Sequence, residues 1–176
     1  MNQQSSQDSL FSLIRDVPDF PKPGILFKDI TPVLECPESF SQLIEQMCED
    51  LPPEANKLVG IESRGFLLAS AMAKHSHKGL VIARKPGKLP GPVLRQTYAL
   101  EYGQDEIQIH QGSLSSSDRI VIVDDVLATG GTAQACEKLC LSAETEVLGF
   151  SFMMEIAALQ GRNLLKAPVH CLYSVK

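Results

Sequence analysis

The sequence predicts an α/β fold: a mainly parallel, twisted sheet flanked by helices. Two observations carry this. From Lys57 onward, short apolar strand-like runs alternate with helical ones. Three polar, glycine-bearing segments each follow the carboxyl end of such a run, the edge at which open α/β sheets bind ligands. Leu10, Leu13, Ile14 and Val17 recur at helical spacing behind a cap at Asp8 or Ser9. The stretch from Pro18 to Pro32 is proline-rich and is expected to be irregular. Phe40, Leu43, Ile44, Met47 and Leu51 mark a second helix, opened near Pro37 and ended by Pro52-Pro53. Lys57–Ile61 reads as a buried strand, Gly65–Lys74 as a helix and Leu80–Arg84 as a strand. Gln96–Tyr102 and Glu106–His110 read as a hairpin about Gly103-Gln104, with Tyr98, Leu100 and Tyr102 on one face. Arg119–Val123 is a short apolar strand, Gly131–Leu141 a helix, and Glu146–Ile156 and Val169–Val175 supply the last strands. No repeat or interior linker interrupts this order, so the 176 residues are read as one domain.

Composition excludes several function classes. A net charge of −5 argues against a nucleic-acid partner. No apolar run approaches the roughly 18 residues that would cross a bilayer, so no membrane role is expected. The N-terminus is polar and amide-rich, without the blocks of a signal peptide, which points to a cytoplasmic protein. Cys36, Cys48, Cys136, Cys140 and Cys171 form no C-x-x-C pair, and nothing near Cys136 and Cys140 completes a zinc set. They are expected to be reduced thiols, and no protein-held metal is expected. His75, His77, His110 and His170 lack partners at ligand spacing and read as surface or structural residues.

The sharpest motif is V-I-V-D-D-V-L-A-T-G-G-T-A, Val121 to Ala133. An apolar strand runs into two carboxylates, then a loop of small residues, Ala128, Thr129, Gly130, Gly131 and Thr132, then a helix. Backbone N–H groups at a helix start can surround a phosphate, glycines let the backbone come close, and threonine hydroxyls add donors. It is neither a Walker A loop nor a G-x-G-x-x-G fingerprint. Asp124 and Asp125 can accept hydrogen bonds from vicinal sugar hydroxyls, so the block describes a ribose-5-phosphate site. A helix-capping Asp125 beside a tight glycine turn is the structural alternative.

This block resembles the phosphoribosyl pyrophosphate (PRPP) signature of the type I phosphoribosyltransferases. Four further segments resemble the adenine-specific branch of that family: F-P-K-P-G-I-L-F-K-D-I-T-P (Phe20 to Pro32), G-I-E-S-R-G-F (Gly60 to Phe66), R-K-P-G-K-L-P-G (Arg84 to Gly91) and L-E-Y-G (Leu100 to Gly103). The resemblance runs from Val17 to Arg162 in the family's order. It implies a small N-terminal hood formed mainly by residues 1–35. It also implies transfer of the phosphoribosyl group of PRPP to adenine, giving AMP and pyrophosphate, with magnesium arriving bound to PRPP. By resemblance Phe27 stacks on adenine, backbone groups at Leu26 read its amino edge, and Glu101 handles a proton near N7. Glu62, Ser63 and Arg64 correspond to the pyrophosphate loop, with Arg64 at the catalytic centre. Arg84, Lys85 and Lys88, with Tyr102, correspond to the lid and pyrophosphate contacts. In related enzymes the lid meets a neighbouring subunit, which implies a homodimer. A core aromatic, an exposed strand carboxylate and a solvated basic loop are the plain readings of Phe27, Glu101 and Arg84–Lys88. Another base specificity on the same scaffold, or a PRPP-sensing regulator, are the competing functions. The proline-rich hood and L-E-Y-G oppose the first, and length and charge oppose the second.

Overall fold

The computed structural model describes residues 10–99 and 103–175. The expectations for Asp8, Ser9, Leu100, Glu101 and Tyr102 therefore lie outside the described residues. The chain divides into two compact units, one ending at Gln46 and the other beginning at Met47.

In the first unit, β1 (Arg15–Pro18) pairs antiparallel with β2 (Leu26–Asp29). Two expectations are corrected here. Leu13, Ile14 and Val17 are not on the first helix, which ends at Phe11, and Val17 lies in β1, because a β-branched residue ahead of proline is driven to extended backbone. The Pro18–Pro32 stretch is not wholly irregular, since it contains β2. The register sets Arg15 opposite Asp29 and Asp16 opposite Lys28, and both couples form ion pairs. The β1–β2 connection includes a Phe20 ring that meets Phe27 edge-on at 5.1 Å between centroids. Pro32 does not break the chain either. It opens α1 (Thr31–Glu35), where a missing N–H costs nothing. Next comes α2 (Pro37–Glu49), which starts at Pro37 as expected and stops short of Leu51.

The second unit holds a five-stranded sheet, entirely parallel, from β3 (Lys57–Ile61), β4 (Gly79–Ala83), β7 (Arg119–Leu127), β8 (Glu146–Ile156) and β9 (Val169–Val175), in the order β4-β3-β7-β8-β9. Alternation sorts the strand side chains to two faces. On one face Val59, Ile61, Val81, Ala83, Ile120, Ile122, Phe150 and Phe152 join one core with α4 (Gly131–Ser142). On the other, α3 (Arg64–Ser76) packs on β3 and β7 through buried Leu68, Ala69, Met72 and Ala73. The hairpin β5 (Val93–Ala99) with β6 (Gln104–His110) lies against α4, and its Ile107 and Ile109 complete the first core. A bridge between Arg84 and Gln108 ties it to the end of β4. At the amino end of the sheet, buried Asp118 accepts hydrogen bonds from Lys57 Nζ (2.9 Å) and the Ser115 N–H (2.8 Å), closing that end structurally.

Asp29 marks a pH dependence for the first unit. The Thr31 N–H, then the Arg15 guanidinium, hold its carboxyl down at about 2, against an ordinary 3.8. A depressed carboxyl contributes stability that is complete above the ordinary value and lost as pH falls through the depressed one. Asp29→Asn should therefore lower the thermal midpoint at neutral pH, and its gap from the unsubstituted protein should close as pH falls from 4 toward 2. A gap independent of pH would show that the carboxylate's charge contributes nothing.

Candidate active site

Strand order reverses beside β3, with β4 on one side of it and β7 on the other. A crevice outside the carboxyl ends of β3 and β7 is where such sheets take ligands. β7 runs to Leu127, further than the expected Val123, because Val126 and Leu127 go on pairing with Met154 and Glu155 of β8. Asp124 and Asp125 are thus strand residues rather than loop residues, and alternation sends them opposite ways. Asp124 lines a cavity of about 160 Å³. Asp125 is buried and accepts a hydrogen bond from Arg64 Nε. Enclosure, then the neighbouring Asp125 charge, push the Asp124 carboxyl well above the usual carboxylate range.

The cavity lies at the start of α4, and Ala128, Thr129, Gly130, Gly131 and Thr132 all line it, with Glu62 and Lys85 across from them. Gly130 caps α4 in the left-handed region, φ 82°, a conformation that glycine adopts without strain, and it leaves the first N–H groups of the helix without partners inside it. The loop is also held from behind. A Cβ on Gly130 would stand 2.5 Å from the Gly161 carbonyl oxygen, and one on Gly161 would stand 2.2 Å from that of Ala128. Only hydrogen fits between these backbones.

The basic groups are held by acids. Arg84 bonds Glu62 through Nη2 (3.2 Å) and Nε (3.3 Å), and the Lys85 N–H donates to Glu62 at 2.8 Å. Burial alone would raise the Glu62 carboxyl, but these donors hold it below its ordinary value. Lys85 Nζ pairs with Asp105 and donates to the Tyr98 hydroxyl at 2.6 Å, while Thr132 Oγ1 donates to that hydroxyl at 3.1 Å. Burial would lower the Lys85 ammonium and raise the Asp105 carboxyl; their mutual hydrogen bond turns both shifts the other way. Lys88 is exposed, and its carbonyl accepts from Arg84 Nη1.

The cavity therefore gathers Glu62, Lys85, Asp124 and residues 128–132, while Ser63, Arg64, Arg84 and Lys88 stand outside its lining. The Glu62–Ser63 peptide is cis. Leu26 and Phe27 belong to the first unit, and Glu101 and Tyr102 fall outside the described residues. Three residues that carry the geometry, Tyr98, Asp105 and Gly161, stand in no motif. Only the glycine following a strand and its turn offered a signal in the sequence. A second cavity, about 240 Å³, shares Leu127 with the first and is bordered by Ile156, Gly161 and the Arg162–Glu155 ion pair. Among the described residues no cluster of three or more His, Cys, Asp or Glu side chains is arranged to hold a metal ion.

Residues 33–162 match the phosphoribosyl transferase domain family. The chain is 54% identical over 165 residues to an adenine phosphoribosyltransferase of Synechococcus sp. (strain JA-3-3Ab), spanning 92% of this chain and 94% of that one. Its structure is similar to adenine phosphoribosyltransferase from Rhodothermus marinus DSM 4252, with a TM-score of 0.94 and 46% identity over 98% of this chain and 100% of that one. The Saccharomyces cerevisiae adenine phosphoribosyltransferase, solved with adenine and D-2,5-dideoxy-2,5-imino-altritol 1,6-bisphosphate, gives 0.89 and 37% over 96% and 99%.

Gly161→Ala tests the backbone contact behind the loop. The added methyl meets carbonyl oxygen rather than a flexible side chain, so the loop must shift, at a cost of roughly 1–3 kcal/mol of stability. Thermal unfolding and ribose-5-phosphate binding should both weaken. A variant with unchanged sugar-phosphate affinity would show that the contact does not shape the loop.

Proposed function

The chain belongs to the phosphoribosyltransferase family and, within it, to the adenine phosphoribosyltransferases, which join adenine to PRPP with release of pyrophosphate; on that premise we propose how its residues divide the work. One observation carries the reading. A phosphate-sized cavity at the start of α4, lined by residues 128–132, has a carboxylate, Asp124, on one wall and an ammonium, Lys85, on another. The 5-phosphate takes the backbone N–H groups of residues 128–132 and the hydroxyls of Thr129 and Thr132. The ribose hydroxyls donate to Asp124, and Asp125 orients Arg64 from the next position along β7. The adjoining cavity, with apolar Leu127 and Ile156 on its walls, suits the purine.

The leaving diphosphate meets Lys85, Arg64 and the backbone of Glu62 and Ser63. Arg84, Lys88 and Tyr102 join when the lid closes about Gly87 and Gly91, which stand at φ 74° and 76°. Magnesium carried on the diphosphate of PRPP would neutralise part of the charge these groups face, and Asp124, on the cavity wall, would be the carboxylate placed to meet it through water. As the bond to pyrophosphate lengthens, positive charge grows on the sugar ring and negative charge on the diphosphate. The protein's work is to position both partners and stabilise the departing charge. Phe27 stacks on adenine, the Leu26 backbone reads its amino edge, and Glu101 moves the proton at N7. The chain acts as a homodimer in the cytoplasm.

Turnover of the protein with PRPP and magnesium, offering adenine, hypoxanthine, guanine, xanthine and orotate separately, should give AMP from adenine and negligible product from the others. A different preferred base would sink the roles given to Leu26, Phe27 and Glu101. Glu101→Ala should lower kcat by roughly 10²–10⁴-fold without loss of fold; an unchanged rate removes its catalytic role. Phe27→Ala should raise the KM for adenine while that for PRPP stays put, and the reverse pattern would take the ring out of the base site.

A further inference from the structure

Three cations around the PRPP cavity are already matched with carboxylates of the chain: Arg64 with Asp125, Arg84 with Glu62 and Lys85 with Asp105. Two of these acids stand inside the ligand-binding motifs. Asp105 does not. It comes from β6, directly across the hairpin from Tyr98, and reaches over to Lys85, which lines the cavity. The Tyr98 hydroxyl completes the arrangement by donating to Asp105 at 3.1 Å while accepting from Lys85 and from Thr132 of the phosphate loop.

The Lys85–Asp105 pair is partly open to solvent, with side chains 35% and 27% exposed. Ion pairs so placed are weak and easily exchanged. A diphosphate brings more charge and more acceptor oxygens than one carboxylate, so it is the stronger partner for the ammonium. Tyr98, whose hydroxyl accepts from both Lys85 and Thr132, offers the ammonium a neutral partner that such an exchange need not break.

We propose that Asp105 is an internal stand-in for the diphosphate: it holds the Lys85 ammonium in the empty site and gives it up when PRPP or pyrophosphate binds. This rests on the reading that Lys85 meets the diphosphate. Asp105 is a positioning residue acting through Lys85. It keeps the cation at the cavity wall before substrate arrives and, by competing for it afterwards, weakens the hold on pyrophosphate and eases its release.

The test is calorimetric titration of magnesium pyrophosphate into the full chain. Asp105→Asn removes the competing charge at constant shape and should tighten pyrophosphate binding roughly 3- to 10-fold, the scale of one nearby charge at partial exposure. Asp105→Glu should bind like the unsubstituted protein. Lys85→Met should weaken binding, and adding Asp105→Asn to it should bring little further change. Should the asparagine variant melt early, Asp105→Ala gives the same predicted direction. Equal or weaker pyrophosphate binding in folded Asp105→Asn, with Lys85→Met still impaired, overturns the role of Asp105 alone. Unchanged binding in Lys85→Met overturns the diphosphate reading of Lys85, and the stand-in with it.

Discussion

The site depends on two backbones coming closer than side chains allow, at the point where the strand order reverses. A Cβ on Gly65 would stand 2.8 Å from both the Val123 carbonyl oxygen and Asp124 Oδ1, and one on Gly60 would lie 2.9 Å from the Ala69 Cβ. With hydrogen in both places, α3 begins hard against the end of β7. Arg64, its first residue, can then reach Asp125 while Asp124, one position earlier on the strand, turns to the cavity. A second approach of the same kind, Gly130 against Gly161, fixes the loop on the other side. Both contacts act on backbone, which cannot swing aside as a long side chain would.

Around this frame the electrostatics are unusual for a site proposed to take an anion. Three of its four acids are paired with cations, Asp125 with Arg64, Glu62 with Arg84 and Asp105 with Lys85, and Asp124 is the fourth. Pairing resolves most of the conflict, and its mark is that donors pull Glu62 and Asp105 below their ordinary values against the effect of burial. Asp124 is different. Burial and the adjacent carboxylate both work against its charge, so its carboxyl is pushed up. A sugar hydroxyl donating to it would supply the hydrogen bond that water supplies elsewhere, consistent with the ribose role proposed for it.

How far the sequence could be read varies with the kind of signal. Lys57–Ile61 and Glu146–Ile156 fold as strands over the predicted spans because mostly apolar runs bounded by polar turns have few alternatives, and Val169–Val175 also keeps its predicted span although none of its residues is buried. Leu13, Ile14 and Val17 misled because their helical spacing is real, yet the chain leaves the helix after Phe11 and Pro18 holds Val17 extended. β7 outran its prediction because two aspartates look like the end of a buried strand. Their place in the ladder is set by Val126 and Leu127 pairing with β8, a partner no local window contains.

The sequence by itself determined the family and its activity, because motifs such as Val121–Ala133, an apolar strand running into acids, small residues and a helix start, are contiguous and need only local backbone geometry. It determined the fold class as well, because hydrophobic periodicity is local too. Tertiary structure decided which of the two aspartates faces the cavity, which acid holds which cation, and that Gly161, some thirty residues beyond the loop, sets its shape. These are contacts between segments far apart in the chain. They depend on register and close approach across the sheet, and neither leaves a periodic trace in the order of residues.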